Sequence, residues 1–253
     1  DTAAVAWVMQ RSGQPEYREP VARAARWLEG MQSRDGGFAS FDADNIHYYL
    51  NEIPFADHGA LLDPPTEDVT GRCVALLSII GDDCRKAQER AIRWLTHMQD
   101  ARGPWWGRWG TNYIYGTWSV LSALELAGIA PADTRLRRAV AWLKSVQQAD
   151  GGFGESNDSY EHPERAGQGP ATPEQTAWAL LALMAAGEAE SRAVARGIRW
   201  LLDQQDAQGN WHSEQFNAPG FPHVFYLRYH GYSDYFPLWA LARYRKLVGI
   251  LRE

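Results

Sequence analysis

The sequence predicts an all-α fold of stacked αα-hairpin repeats with about nine helices, either an open solenoid or an incomplete toroid-type barrel, the bare start favouring the second. Three observations predict it. Four segments superpose without gaps, apolar helical runs alternate with them, and turns bearing Gly or Pro separate the two kinds.

In chain order the apolar run DTAAVAWVM comes first. The first repeat, WLEGMQSRDGGF, follows. Then EDVTGRCVALLSIIG, WLTHMQDARGPW, YGTWSVLSALELAG, WLKSVQQADGGF, PEQTAWALLALMAAG, WLLDQQDAQGNW and DYFPLWALARYRKLV alternate to the C-terminus. Every repeat has Trp-Leu, a Gln five positions after the Trp, and an aromatic six positions after the Gln. The Trp residues are 27, 94, 142 and 200, the Gln residues are 32, 99, 147 and 205, and the closing aromatics are Phe38, Trp105, Phe153 and Trp211. Val21, Ala25 and Leu28 show helical spacing before the first Gln, and Asp-Gly-Gly, Arg-Gly-Pro or Gln-Gly-Asn breaks the helix after it.

The repeats therefore read as outer amphipathic helices. The runs between them, richer in Ala and Leu, read as buried inner helices. Each Gln is expected to reach carbonyls or amides at nearby helix ends, and each closing aromatic to pack on its own repeat's Trp. A residue repeated four times suits a structural task better than a catalytic one. Five inner and four outer helices make nine, whereas a closed ring of six hairpins has twelve. The first inner helix lacks its lead-in, so the chain begins as though cut from a longer one.

Composition narrows the function. With 253 residues and 45% apolar content the chain builds a folded core. Lys plus Arg is 25 and Asp plus Glu is 31, and the resulting charge of −6 argues against a nucleic-acid partner. Two cysteines, Cys73 and Cys84, exclude a disulfide scaffold and point to a reducing, intracellular setting. The longest apolar stretch, Ala177 to Ala186, is about half the roughly 20 residues a membrane span needs. Aromatic residues stand out, with 12 Trp, 11 Tyr and 8 Phe, and function is to be sought among them.

Each inner helix opens on polar or aromatic residues beside Thr or Pro: Asp1-Thr2, Asp68-Val69-Thr70, Tyr115-Gly116-Thr117, Gln175-Thr176 and Phe236-Pro237. These starts should line one mouth of the ring, where helix N-termini also point. An acid there is stabilised as its anion unless burial or like charge raises its pKa. For Asp1 and Asp68 an N-cap role is the competing reading. The long loops before the inner helices carry Phe41, then Trp109, Tyr113 and Tyr115, then Phe221, Phe225, Tyr226, Tyr229 and Tyr232. Such a set forms either an amphipathic contact patch or a wall of π faces that attracts a cation, at up to about 2 kcal/mol per ring when dry.

Other chemistries find little support. Asp42, Asp44 and Asn45 lack the Gly and closing Glu of a calcium loop. There is no Cys-x-x-Cys, His-Glu-x-x-His, phosphate cradle or Gly-x-Ser-x-Gly elbow, and His47, His58 and His162 read as isolated surface residues. No spacing singles out a glycosidase carboxylate pair.

The Gln-to-aromatic repeats resemble the QW motifs of triterpene cyclases, along the whole chain and most closely those of squalene–hopene cyclases. Asp1-Thr2-Ala3 matches the last three residues of the family's Asp-x-Asp-Asp-Thr-Ala acid motif. The middle Asp of that motif, the family's proton donor, precedes Asp1 and is not in this chain. DPPTEDVTGR is similar to the segment supporting the acid, with Asp68 at the matching carboxylate and Arg72 where the family can have His. By the same resemblance Phe41, Trp109, Tyr115, Phe221, Phe225, Tyr226, Tyr229 and Tyr232 are substrate-pocket aromatics, and Asp1, Asp68 and Arg72 belong to the catalytic set.

The resemblance implies an isomerase that protonates squalene and carries it through carbocations to hopene or hopanol, with no metal or organic cofactor. It implies that residues 1–253 are the larger part of a C-terminal (α/α)-barrel domain, an (α/α)6 toroid-type barrel of αα-hairpin repeats that is incomplete here, and inactive alone. It also implies a monotopic protein at the cytoplasmic face of the membrane, often homodimeric. The alternatives are a class II diterpene cyclase fragment, a helical-repeat binding module, or a prenyltransferase-like barrel. The last needs an Asp-x-Cys zinc ligand pair that neither Cys73 nor Cys84 supplies.

Overall fold

The structure is a computed structural model that describes residues 1–54 and 62–249; His58 and the last four residues lie outside the described set. Its helices are α1 (Thr2–Ser12), α2 (Arg18–Gly30), α3 (Glu67–Ile80), α4 (Arg85–Met98), α5 (Tyr113–Leu126), α6 (Thr134–Val146), α7 (Pro173–Ala185), α8 (Arg192–Asp203) and α9 (Tyr232–Leu247). The odd-numbered helices pack side by side in chain order as the inner row, and each even-numbered helix packs outside the inner helix beside it. All thirteen residues of α7 are buried, so that helix reads as apolar on every side. The described helices form an incomplete barrel of αα-hairpins.

The repeated residues interlock one hairpin with the next. Gln32 donates to the carbonyls of Gly36, in its own turn, and Ala87, in the first turn of α4. Gln99 does the same to Gly103 and Arg135, and Gln147 to Gly151 and Ala193. Gln205, at the last repeat, donates to Gly209. The turn Gly is required by closeness as well as by conformation. Gly103 has φ 118°, and a Cβ there would lie 2.5 Å from the Arg138 carbonyl oxygen.

An arginine four positions before the Trp completes the lock. Arg90, Arg138 and Arg196 each donate to two carbonyls of the preceding turn. Two of the repeat Trp indoles also reach back, a contact not foreseen from the sequence. Trp94 donates to Asp35 and Trp200 to Asp150, both in the preceding repeat's turn. Trp105 and Trp211 instead bury their rings and donate to the Leu95 and Leu201 carbonyls of their own outer helices.

Two local features differ from the helical reading. Ala218–Phe221 (β1) and Phe225–Leu227 (β2) form an antiparallel hairpin, with Ala218 opposite Leu227 and an irregularity between Pro219 and Phe221. That irregularity breaks the alternation that would have marked a strand pair. Helix α9 begins at Tyr232 and holds Pro237 inside it. Tyr232 packs edge-on against Trp178 and Phe236, at 6.1 and 5.1 Å between ring centroids, and this packing extends the helix ahead of the proline.

Candidate active site at the N-terminal mouth of the inner helices

The inner helices share a register at their starts. Thr70, Thr117 and Thr176 accept the backbone amides of the closing aromatics Phe38, Trp105 and Phe153, at 2.9, 3.0 and 2.9 Å. In α9, Asp234 takes that place and accepts the Trp211 amide at 3.0 Å. These Thr residues therefore anchor the repeat turns. Two positions before each anchor stands Asp68, Tyr115, Glu174 or Tyr232. One side chain per inner helix is thus delivered to the same end of the row.

Asp68 is wholly buried. Its Oδ2 accepts the amides of Arg108 and Trp109 at 3.1 and 2.8 Å. Its Oδ1 accepts the Thr66 hydroxyl at 2.7 Å and the Val69 amide at 3.0 Å. Four donors occupy both oxygens, so Asp68 holds the loop that presents Trp109. Beside it, burial and then the Asp68 charge push the Glu67 carboxyl up to about 8.

Glu174, on α7, does the matching work two hairpins along the row. It accepts from Asn217 at 3.1 Å, and Asn217 in turn binds the Tyr229 amide at 2.9 Å and its carbonyl at 3.3 Å. A buried carboxylate thus supports each aromatic-bearing segment. Burial raises the Glu174 carboxyl above its ordinary range.

Arg72 donates to the Tyr115 hydroxyl, and its guanidinium carbon lies 5.6 Å from the Tyr115 ring centre and 5.9 Å from that of Trp118. The Tyr115 ring in turn meets Trp178 at 4.9 Å. Burial raises the Tyr115 phenol, so it stays protonated. The Arg72 cation thus lies at the hydroxyl edge of Tyr115 and near the Trp118 ring.

The remaining aromatics form two walls. Phe41, largely exposed, meets Trp109 edge-on at 6.2 Å, and the Trp109 indole donates to Ser40 at 2.7 Å. On the hairpin, Phe221 and Phe225 lie 5.6 Å apart, and Tyr226 stacks on Tyr160 at 5.9 Å. Tyr229 and Tyr232 lie 4.9 Å apart, joining the hairpin to α9. Asp1 is exposed at the start of α1, and its side chain makes no capping hydrogen bond.

A cavity of about 950 Å³ runs down the inner row from this mouth, with Arg72 and Tyr232 at its upper end and Arg11, Lys246 and Leu247 farther along. Trp118, Phe236 and Trp239 line it and contact one another at 5.2 to 6.2 Å. The sequence reading passed over Trp118, Trp178 and Trp239, which sit within helical runs and look like core. It also passed over Arg108, Glu174 and Asn217. The equal spacing of Asp68, Tyr115, Glu174 and Tyr232 to their anchors was the signal that finds Glu174. Among the described residues no three His, Cys, Asp or Glu side chains group as metal ligands.

Comparison with known proteins gives a consistent answer. The profile of the squalene-hopene cyclase C-terminal domain matches residues 1–246. The chain is 57% identical over 98% of its length to a probable squalene–hopene cyclase of Sinorhizobium fredii, covering 39% of that protein. It is 53% identical to the squalene–hopene cyclase of Bradyrhizobium diazoefficiens and 42% identical to that of Alicyclobacillus acidocaldarius, over 98% of the chain in each case and 38% and 40% of those proteins. The chain thus spans about two fifths of the relatives' length. Among solved structures, the type II terpene cyclase MstE from Scytonema superposes with a TM-score of 0.61 at 22% identity, over 92% of this chain and 70% of that one. That likeness speaks for the fold alone.

Proposed function

Because the chain belongs to the squalene-hopene cyclase C-terminal domain family, we propose that it supplies the acid-supporting and aromatic-wall part of an enzyme that cyclises squalene. The observation that carries this reading is the mouth itself. Buried Asp68 fixes the amide of Trp109, whose ring meets Phe41, and buried Glu174 through Asn217 holds Tyr229 against Tyr232.

The chemistry asks for such a site. A proton adds to a terminal double bond of squalene, forming a C–H bond and leaving a tertiary carbocation. Each ring closure then converts a π bond into a C–C σ bond and moves the charge onward. Loss of a proton gives hopene with no net change in atoms, and addition of water gives hopanol. A lone pair beside the charge would trap it, whereas a preorganised π face stabilises it without reacting.

The family's proton donor precedes Asp1. Counted back from Thr2, it takes the mouth position on α1 that Asp68 takes on α3. Arg72 then serves as a fixed cation near that mouth, favouring the ionised acid and so strengthening it as a proton donor. Its contact with Tyr115 and Trp118 keeps that charge in place.

The test is product analysis. The full-length protein, incubated with squalene, yields hopene and hopanol by gas chromatography and mass spectrometry. Recovery of unchanged squalene, with turnover of a prenyl diphosphate instead, would replace this reading by that of a diterpene cyclase. The same reading carries a peripheral membrane site, since so apolar a substrate is drawn from lipid. No described helix is long and apolar enough to cross a membrane. Sedimentation of the full-length protein with phospholipid vesicles checks this, and a homodimer is checked by light scattering.

A further inference from the structure

Arg108 sits in the loop between α4 and α5 and is nearly buried. Its guanidinium carbon lies 4.3 Å from the Trp109 ring centre and 5.9 Å from that of Phe221. It donates to the Gly220 carbonyl of the hairpin at 3.2 Å and pairs with Asp63 at 3.4 Å. Its own amide is one of those bound by Asp68. Four segments therefore meet at this residue: the lead-in to α3, the start of α3, the α4–α5 loop and the hairpin.

A circuit closes around it. The Trp109 indole donates to Ser40, the Ser40 hydroxyl faces the Asp63 carboxylate, Asp63 pairs with Arg108, and Arg108 stacks on Trp109. Both members of the ion pair are largely shielded from water, with side-chain exposures of 8% for Arg108 and 16% for Asp63. Such a pair holds its geometry more than it adds stability. The planar guanidinium also needs both its stack and its directed donors here, which a lysine lacks.

We infer that Arg108 is a positioning residue that sets the spacing between the two aromatic walls, Phe41–Trp109 on one side and Phe221–Phe225 on the other. The inference rests on the cyclase reading. One face of Trp109 is given to the guanidinium, so a substrate cation meets that ring only from elsewhere. The separation of the walls determines where along the cyclising chain a charge is shielded. Loosening them lets the cation lose its proton early.

The experiment compares Arg108→Met and Arg108→Lys with the wild type in the full-length protein, reading product distribution, kcat and KM on squalene. For Arg108→Met we expect incompletely cyclised products to become a major fraction. Turnover should fall by up to about 100-fold, as misplacement of a reacting group by an ångström does, with KM little changed. Arg108→Lys should fall between Met and wild type. Ser40→Ala and Asp63→Asn break the same circuit elsewhere and should shift the products the same way, which covers a Met variant that fails to fold. An active wild type with unchanged products in all folded variants overturns the positioning role. A wild type that leaves squalene untouched overturns the cyclase reading, and this inference with it.

Discussion

Trp109 and Asp68, far apart in sequence, are joined by one 2.8 Å hydrogen bond from the Trp109 amide to a wholly buried carboxylate oxygen. The carboxylate also binds the next amide back and closes onto Thr66 and Val69. Asp68 therefore fixes the backbone that carries Trp109. Asp68→Ala leaves several buried donors without a partner, and we expect a loss of about 3–5 kcal/mol in urea unfolding. Asp68→Asn keeps one acceptor and should cost less. Equal stability of the two variants would contradict this account.

Arg72 and Tyr115 give a second prediction. Tyr115→Phe keeps the ring face but removes the hydroxyl that Arg72 binds. Stability should drop by about 1–3 kcal/mol, because a part-buried guanidinium loses an acceptor. Arg72→Met, an apolar replacement of similar length, should restore part of that loss when combined with Tyr115→Phe. A thermal double-mutant cycle on the purified chain measures the coupling.

Glu67 makes stability depend on pH. Its carboxyl is pushed from an ordinary 4.5 to about 8 by burial first and by Asp68 second. The folded state holds its proton where the unfolded state has released it. The stabilising contribution is therefore complete below pH 4.5, declines as pH rises, and is lost above about 8. The total is on the order of 5 kcal/mol. Glu67→Gln should flatten the fall in chemical-denaturation midpoint across that window. An identical pH profile in wild type and variant would remove Glu67 as its cause.

The repeat glutamines should not be equivalent. Gln99 ties its own turn to α6 through two carbonyls, whereas among the described residues Gln205 reaches only the carbonyl of Gly209 in its own turn. We expect Gln99→Ala to cost about 1–3 kcal/mol and Gln205→Ala well under about 1 kcal/mol. Guanidinium unfolding of the two variants side by side checks the difference.

On the hairpin wall, Phe225→Ala or Tyr229→Ala in the full-length protein should move products towards early-terminated rings, with overall turnover reduced by a smaller factor. Tyr229 is held by Asn217, so Asn217→Ala should shift products in the same direction as Tyr229→Ala. An unchanged product profile for Phe225→Ala and Tyr229→Ala would take both rings out of the cation wall.

Much of the architecture is legible in one sequence because it is periodic. The Trp, Gln and closing aromatic recur at constant spacing, and each recurrence performs the same local task. That periodicity, with the apolar runs between, was enough to specify the nine α-helices of the described residues, their inner and outer assignment and the end at which their polar starts gather. Sequence alone also singled out the aromatic loops, because their composition departs from any helical period. The hairpin escaped it, since an irregularity between Pro219 and Phe221 erases strand alternation, and so did the backward reach of Trp94 and Trp200.

What the tertiary structure decided is partnership. Asp68 reads as a helix cap or a catalytic acid until the loop carrying Arg108 and Trp109 is seen to close on it. Glu174 looks like an ordinary first-turn carboxylate until Asn217 and Tyr229 are seen against it. Arg108 has no sequence signal, because its partners Asp63, Gly220 and Phe221 come from segments brought together only by the curvature of the helix row. Local spacing encodes which elements form, since helix and turn propensities act over a few residues. The site depends on contacts between distant segments, and these exist only once the inner helices have packed and turned their starts to a common mouth.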